Sequence, residues 1–264
     1  MPRRPSGFSL VELSIVLVIL GLLTGGILGG QSLIRAAQLR KVTNDAASIA
    51  TAMGTFRDKY FYLPGDLPNA TSFWGAADGG DGAGTDCYMA NNNNATTCNG
   101  DGDGRVGKLD ASLPSGPESY RFWQHLNNAG IYNAPYTGVP ATGGYSFYWD
   151  DSIGVNIPRA PISDRAGYSV SQWASGFLLN GAPRNTTLYV ASCCLGGSGQ
   201  RRNIEGPIAK PEEVWNIDTK IDDGKPQRGN VQIYNGYGSC IIDADNYNLT
   251  DTANRCPIVI GLGQ

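Results

Sequence analysis

The segment Asn99-Gly100-Asp101-Gly102-Asp103-Gly104-Arg105-Val106-Gly107-Lys108-Leu109-Asp110 sets oxygen-bearing side chains at loop positions one, three and five. Glycine stands at six, an aliphatic residue at eight and a carboxylate at twelve. This is the pattern of a calcium loop. Alternate positions turn inward on a hard cation, the carbonyl at position seven adds a ligand, and the glycine permits the sharp turn. The candidate ligands are Asn99, Asp101, Asp103, the carbonyl of Arg105 and Asp110, with Glu118 able to replace or supplement Asp110. The competing reading is a glycine-rich acidic turn that holds no ion. A second acidic group, Asp218, Asp222 and Asp223, closes a helical pattern. Carboxylates there oppose the helix dipole and repel one another. Either a cation or the nearby Lys225 and Arg228 must offset them.

Glu12 stands near the start of a long apolar run. A carboxylate there costs a few kcal/mol unless it finds a partner. Six cysteines lie beyond that run, at 87, 98, 193, 194, 240 and 256. No CxxC pair occurs and His125 is the only histidine, which argues against zinc. An even count behind an export-type N-terminus favours disulfides. Six cysteines allow 15 connectivities. The expected pairs are Cys87–Cys98 and Cys240–Cys256, leaving adjacent Cys193 and Cys194 to bond each other or reach elsewhere; buried free thiols are the alternative. His125 reads as a packing or surface residue. The sequence contains no GxSxG elbow, P-loop or HExxH, so an enzyme is not expected.

These residues need elements to position them. The apolar run begins at Phe8 and continues, diluted by glycine, to about Ile34, long enough to cross a bilayer as a helix. Arg3 and Arg4 precede it, which leaves the N-terminus in the cytoplasm and the rest outside. Val42, Ala46, Ile49, Met53 and Phe56 then repeat at spacings of four and three, one stripe on a helix. A single helix over 8–60 is expected, roughly 80 Å long at 1.5 Å per residue. Its second half docks a head over 61–264. Glycine is abundant (36) and charged residues sparse (16%), as suits a loop-rich head. Short helices are expected over 118–128 and 211–224. Strands are expected at 145–149, 176–179, 187–191, 231–234 and 257–260. The fold class is α+β, one long helix against an antiparallel sheet. A net charge of -3 with no basic stripe excludes a nucleic-acid surface.

The residues Gly7-Phe8-Ser9-Leu10-Val11-Glu12-Leu13 resemble the type IV prepilin cleavage and methylation signal. The resemblance implies cleavage after Gly7 by a membrane-embedded prepilin peptidase, making 1–7 a leader, and N-methylation of Phe8. It implies that Glu12 serves assembly, where a paired carboxylate in an apolar core fixes register. The partners implied are copies of this chain, other pilins, the peptidase and the inner membrane, with an extracellular or periplasmic filament as the product. Major pilin, minor pilin, tip adhesin and secretion pseudopilin stay open. Many members carry a helix-kinking proline where this chain has Gly25, Gly26, Gly29 and Gly30. Those glycines imply either local melting on assembly or close packing between helices. The acidic loop also resembles the calcium loops of dockerin modules and of some pseudopilin heads.

Overall fold

A computed structural model describes residues 9–77, 96–107, 116–133, 135–136, 138, 153–171, 186–192, 206–233 and 238–263. The first element, α1, runs unbroken over Leu10–Tyr60. It begins at Ser9, whose hydroxyl accepts from the Val11 N–H, while the Glu12 carboxylate accepts from the Ser9 N–H at 2.8 Å. This reciprocal capping box satisfies donors that a helix start otherwise leaves bare. The helix ends at Phe61, which turns left-handed (φ 64°) and donates its N–H to the Arg57 carbonyl. Glycine usually fills that cap. Here a phenylalanine holds it with its side chain 85% exposed.

The two halves of α1 meet different surroundings. Val42, Ala46, Ile49, Ala52, Met53 and Phe56 are buried against the head, which includes every residue of the expected stripe. From Leu10 to Ile34, fifteen large apolar side chains are half or more exposed. The helix passes through Gly25, Gly26, Gly29 and Gly30 without a break.

The head adds α2 (Ala70–Trp74), α3 (Gly116–Asn128), β1 (Ala166–Ser171), β2 (Thr187–Ser192), α4 (Pro211–Ile221), β3 (Val231–Gln232) and β4 (Ile258–Gly261). The strands form one antiparallel sheet in the order β1-β2-β4-β3. Pro211 opens α4 at a position where its missing N–H costs nothing. Trp123, Phe122 and Leu126 of α3, Val170, Leu188, Val190, Ile258 and Ile260 of the sheet, and Val214 and Ile217 of α4 make one core with the α1 stripe. The architecture is the α+β class expected, a long helix on a head with a small antiparallel sheet.

Three local expectations change. Helix α2 and strand β1 are elements not among those expected from the sequence. Of the expected strands, β2 gains a residue, β3 is described only over Val231–Gln232, and β4 starts one residue later and reaches Gly261. The strands expected at 145–149 and 176–179 lie outside the described residues. Cys240 and Cys256 are joined as expected, with Cα atoms 5.3 Å apart. Cys98 is also disulfide-bonded, whereas Cys87, Cys193 and Cys194 lie outside the described residues.

A charged clamp near the base of the docked half ties the head to α1. The Arg35 guanidinium grips Glu213 at both oxygens (2.6 and 2.7 Å) and donates to the carbonyls of Ile162 and Ile208 at 3.0 Å. Glu213 also accepts from the Lys210 N–H, capping α4. Burial pushes the Glu213 carboxyl up, but the Arg35 and Lys210 hydrogen bonds outweigh it and hold the group below the usual range. Replacing Glu213 by Gln strips the pair of its charge at a half-buried site, for a cost of about 1–3 kcal/mol. The detergent-solubilised chain should melt earlier by a corresponding margin. An unchanged melting midpoint for Glu213→Gln would show that the clamp contributes nothing to docking.

Candidate functional site

Two regions have geometry beyond packing. The first is the N-terminal half of α1. Burying a large apolar side chain is worth about 1.5–3 kcal/mol, so fifteen left in water forfeit tens of kcal/mol. A typical domain has only about 5–15 kcal/mol of net stability. Lipid or neighbouring helices must therefore cover this half. The stretch is long and apolar enough to span a membrane, and none of it is buried against the head. Gly7 and Phe8 lie just outside the described residues. Glu12 sits in the first turn with its carboxylate on the Ser9 N–H. The sequence signal for that contact was present, a serine followed three residues later by glutamate.

Residues 2–28 match the family model of the prokaryotic N-terminal methylation motif. This is the type IV prepilin signal. Together with the bare apolar helix it fits membrane anchoring before assembly. No curated protein and no solved structure matches the chain.

The second region is an acidic corner where α1 leaves for α2 and α3 begins. Asp66, Asp101 and Glu118 each offer a carboxylate oxygen, all within 4.8 Å of one another. Asp66 is fully buried. Its Oδ2 accepts from the Gly104 N–H at 3.0 Å, and its Oδ1 has no partner. Glu118 accepts from the Asp101 N–H (3.1 Å) through Oε1 and from the Gly107 N–H (3.0 Å) through Oε2. The loop curls through two turns of the same kind, Asp103 N–H to Asp101 Oδ1 and Arg105 N–H to Asp103 Oδ1, both 3.0 Å. Close backbone approach holds the corner. A Cβ at Gly100 would overlap the Gly65 and Asp66 backbones, and one at Gly65 (φ +90°) would strike the Glu118 carbonyl.

Sequence reasoning found part of this. Asp101 belongs to the cluster, and so does Glu118, named as a substitute for Asp110. Asp66 was missed, because it lies far outside the linear loop pattern. The Asn99 oxygen is turned to the Thr71 N–H at 2.9 Å, where it serves the start of α2. Asp103 is not among the three converging groups, and Asp110 lies outside the described residues.

The second acidic group resolves differently. Asp218 accepts from the Tyr247 hydroxyl (2.7 Å) and the Gly224 N–H (3.1 Å). Asp222 accepts from the Asn230 and Val231 N–H groups, and Asp223 from the Lys225 N–H. The side chains of Lys225 and Arg228 instead pair with Asp245. The expectation that these bases offset the cluster is corrected: its carboxylates accept hydrogen bonds from neutral donors, and the alternative of a shared cation stays open, since one oxygen from each lies within 4.8 Å of the others.

His125 is wholly buried and belongs to a polar chain. Its Nδ1 accepts from the Gly65 N–H at 3.0 Å, so Nε2 carries the proton and meets the Thr97 hydroxyl at 3.0 Å. Thr97 donates onward to Gln124, which also receives Arg121. Burial, helped by the Arg121 charge, pushes His125 down to about 3. It stays neutral near pH 7 and links α3 to the end of α1.

Burial is also the main cause that raises Asp66 to about 7 and Glu118 to about 8, from 3.8 and 4.5. Asp218 is raised to about 6, again chiefly by burial. Acids with raised values bind protons more tightly when folded, so the stability they confer is full below pH 4 and lost as pH rises through 6 to 8. In metal-free buffer the head should lose a few kcal/mol between pH 4.5 and 8.5. Melting of Asp66→Asn across that range should show a shallower decline. A flat midpoint for the unsubstituted chain would contradict the burial of these carboxylates.

Proposed function

We propose that this chain is a type IV pilin-like structural subunit. Residues 1–7 are a leader removed after Gly7 by prepilin peptidase, Phe8 is methylated, and the mature chain polymerises through α1 into a surface or periplasmic filament. The prepilin motif over residues 2–28, on a helix whose first half has no internal partner, carries this reading. A helix that waits in the bilayer and later packs on its own copies is apolar on every side in both places. Glu12 is the one carboxylate in that stretch. Cleavage would bring a free amine to the level of the Ser9–Glu12 capping box. A Glu12 from one subunit facing the Phe8 amine of another would penalise wrong registers, since an unpaired charge in an apolar core is expensive. Calcium is the ion we assign to the acidic corner of the head, because an all-oxygen carboxylate set suits a hard cation. A calcium-binding minor pilin or tip adhesin within the same filament class is the second reading.

Intact-mass measurement of native protein should find a chain beginning at Phe8 and carrying a methyl group. Gly7→Val should leave full-length precursor in the membrane. An intact Met1–Gly7 leader on the native protein, or a first residue beyond Ile34, would be incompatible with this function.

Glu12→Val should be inserted and processed normally yet yield few filaments by electron microscopy. Normal filament number and length from that variant would remove Glu12 from assembly while leaving the processing step intact.

A further inference from the structure

We propose that Asp66, Asp101 and Glu118 are the carboxylate ligands of a calcium site that fastens the exit of α1 to the start of α3. This rests on the calcium assignment above and replaces the linear loop as its ligand set. It does not depend on filament assembly.

The decisive residue is Asp66. Its side chain is fully buried, its Oδ1 has no partner, and it stands among carboxylates. A buried carboxylate oxygen left bare beside two like charges is costly. Neither Asp66 nor Glu118 meets a lysine or arginine side chain among the described residues; both meet backbone N–H groups only. A cation is the missing counter-charge. One oxygen from each of the three side chains lies within 4.8 Å of the others, near enough for a common ion with oxygen ligands at about 2.3–2.6 Å to reach all three.

The donor set selects the ion. Every candidate ligand is oxygen, with no histidine or cysteine, which disfavours zinc and copper. Magnesium demands a tight octahedron and keeps its waters, whereas calcium accepts irregular carboxylate sets. The remaining ligands would be carbonyls and water, since only Asp101 of the three sits at an exposed position.

The placement gives the ion a structural task. Asp66 follows α1 by a short turn, Asp101 belongs to the loop laid over it, and Glu118 opens α3. Calcium is scarce in the cytoplasm and plentiful outside it, so the fastening would form only after the head has crossed the membrane.

The test uses the full chain in detergent, with calcium alone as the probe. Calorimetric titration and thermal melting are run on the unsubstituted chain and on Asp66→Asn, Glu118→Gln, Asn99→Ala and Asp222→Asn. Calcium should bind the unsubstituted chain with a dissociation constant of about 0.1–1 mM and raise its melting midpoint by mass action. Magnesium at equal concentration should give a smaller rise. Asp66→Asn and Glu118→Gln should each weaken calcium at least about tenfold, because ligand charge tunes these sites. Asn99→Ala and Asp222→Asn should bind as the parent does. In chelator at pH 8.5, where Asp66 is ionised, Asp66→Asn should also melt higher than the parent, since it loses a buried charge. If Asp66→Asn does not fold, Glu118→Gln decides. No calcium shift in the parent, or parental affinity in the two ligand variants, overturns the site. Lost calcium binding with normal filaments would leave the assembly reading standing, and absent filaments with normal calcium binding would leave this site standing.

Discussion

The position of Arg35 governs the layout of the whole subunit. A guanidinium stays charged in any protein environment, so it cannot sit free in lipid. It follows Ile34 directly, where the apolar run ends, and its donors are satisfied by Glu213 and by the carbonyls of Ile162 and Ile208. Three separate segments of the head thus converge on one residue of α1. Glu213 in turn caps α4 through the Lys210 N–H, so the same carboxylate starts a helix and anchors it. The clamp fixes where along α1 the head begins. Everything N-terminal to it is left for lipid or other subunits, and everything C-terminal belongs to the head.

The far end of the docked half is held by different means. There the polar contacts are mostly neutral: the His125 chain from Gly65 to Gln124, and the backbone N–H groups that feed Asp66 and Glu118. Aromatic rings fill the space between, with Phe56 stacked near His125 (6.2 Å) and Trp74 near both. Among the described residues no lysine or arginine side chain meets Asp66 or Glu118. The head is therefore pinned to α1 by an arginine at the base and by neutral donors at the far end. Between the two pins, the Val42 to Phe56 stripe provides the burial.

Elements with one strong period were legible in the sequence, and elements specified by contacts across the chain were not. Every residue expected in the α1 stripe is buried, with Ala52 added beside them, because a helix of period 3.6 buries one face. The helices α3 and α4 announced themselves through Glu118, Pro211 and apolar spacing. Strand β1 carried a usable signal, since Ala166, Tyr168 and Val170 alternate with Gly167, Ser169 and Ser171. Small and polar residues on the second face hid it, because both faces are buried and Ser169 and Ser171 face no solvent. Among candidate site residues, the prepilin signal was local and therefore visible. Asp101 and Glu118 were visible through the loop pattern. Asp66 was not, because what makes it a ligand candidate is the fold-back of loop 99–107 onto the end of α1, permitted by Gly65 and Gly100. The Arg35–Glu213 pair spans 178 residues, a separation at which no spacing rule operates.

The glycines of the apolar half carry the argument to the assembled state. At Gly21, Gly25, Gly26, Gly29 and Gly30 an added Cβ would meet nothing within 4 Å. Within one subunit, then, no steric reason keeps a side chain out of these positions, and each glycine weakens the helix by about 1 kcal/mol relative to alanine. The compensating gain must lie outside the subunit. Close approach of a neighbouring helix would be one gain, since small residues let backbones near each other in apolar surroundings. Easy local unwinding when the helix leaves lipid for the filament would be another. The two differ in what alanine would do: it obstructs the first by its bulk and the second by its helix propensity. Both place the reason for these residues in what surrounds the helix, as do the fifteen exposed apolar side chains around them. Among the described residues the head shares one core with the second half of α1, whereas the large apolar side chains of the first half stay exposed.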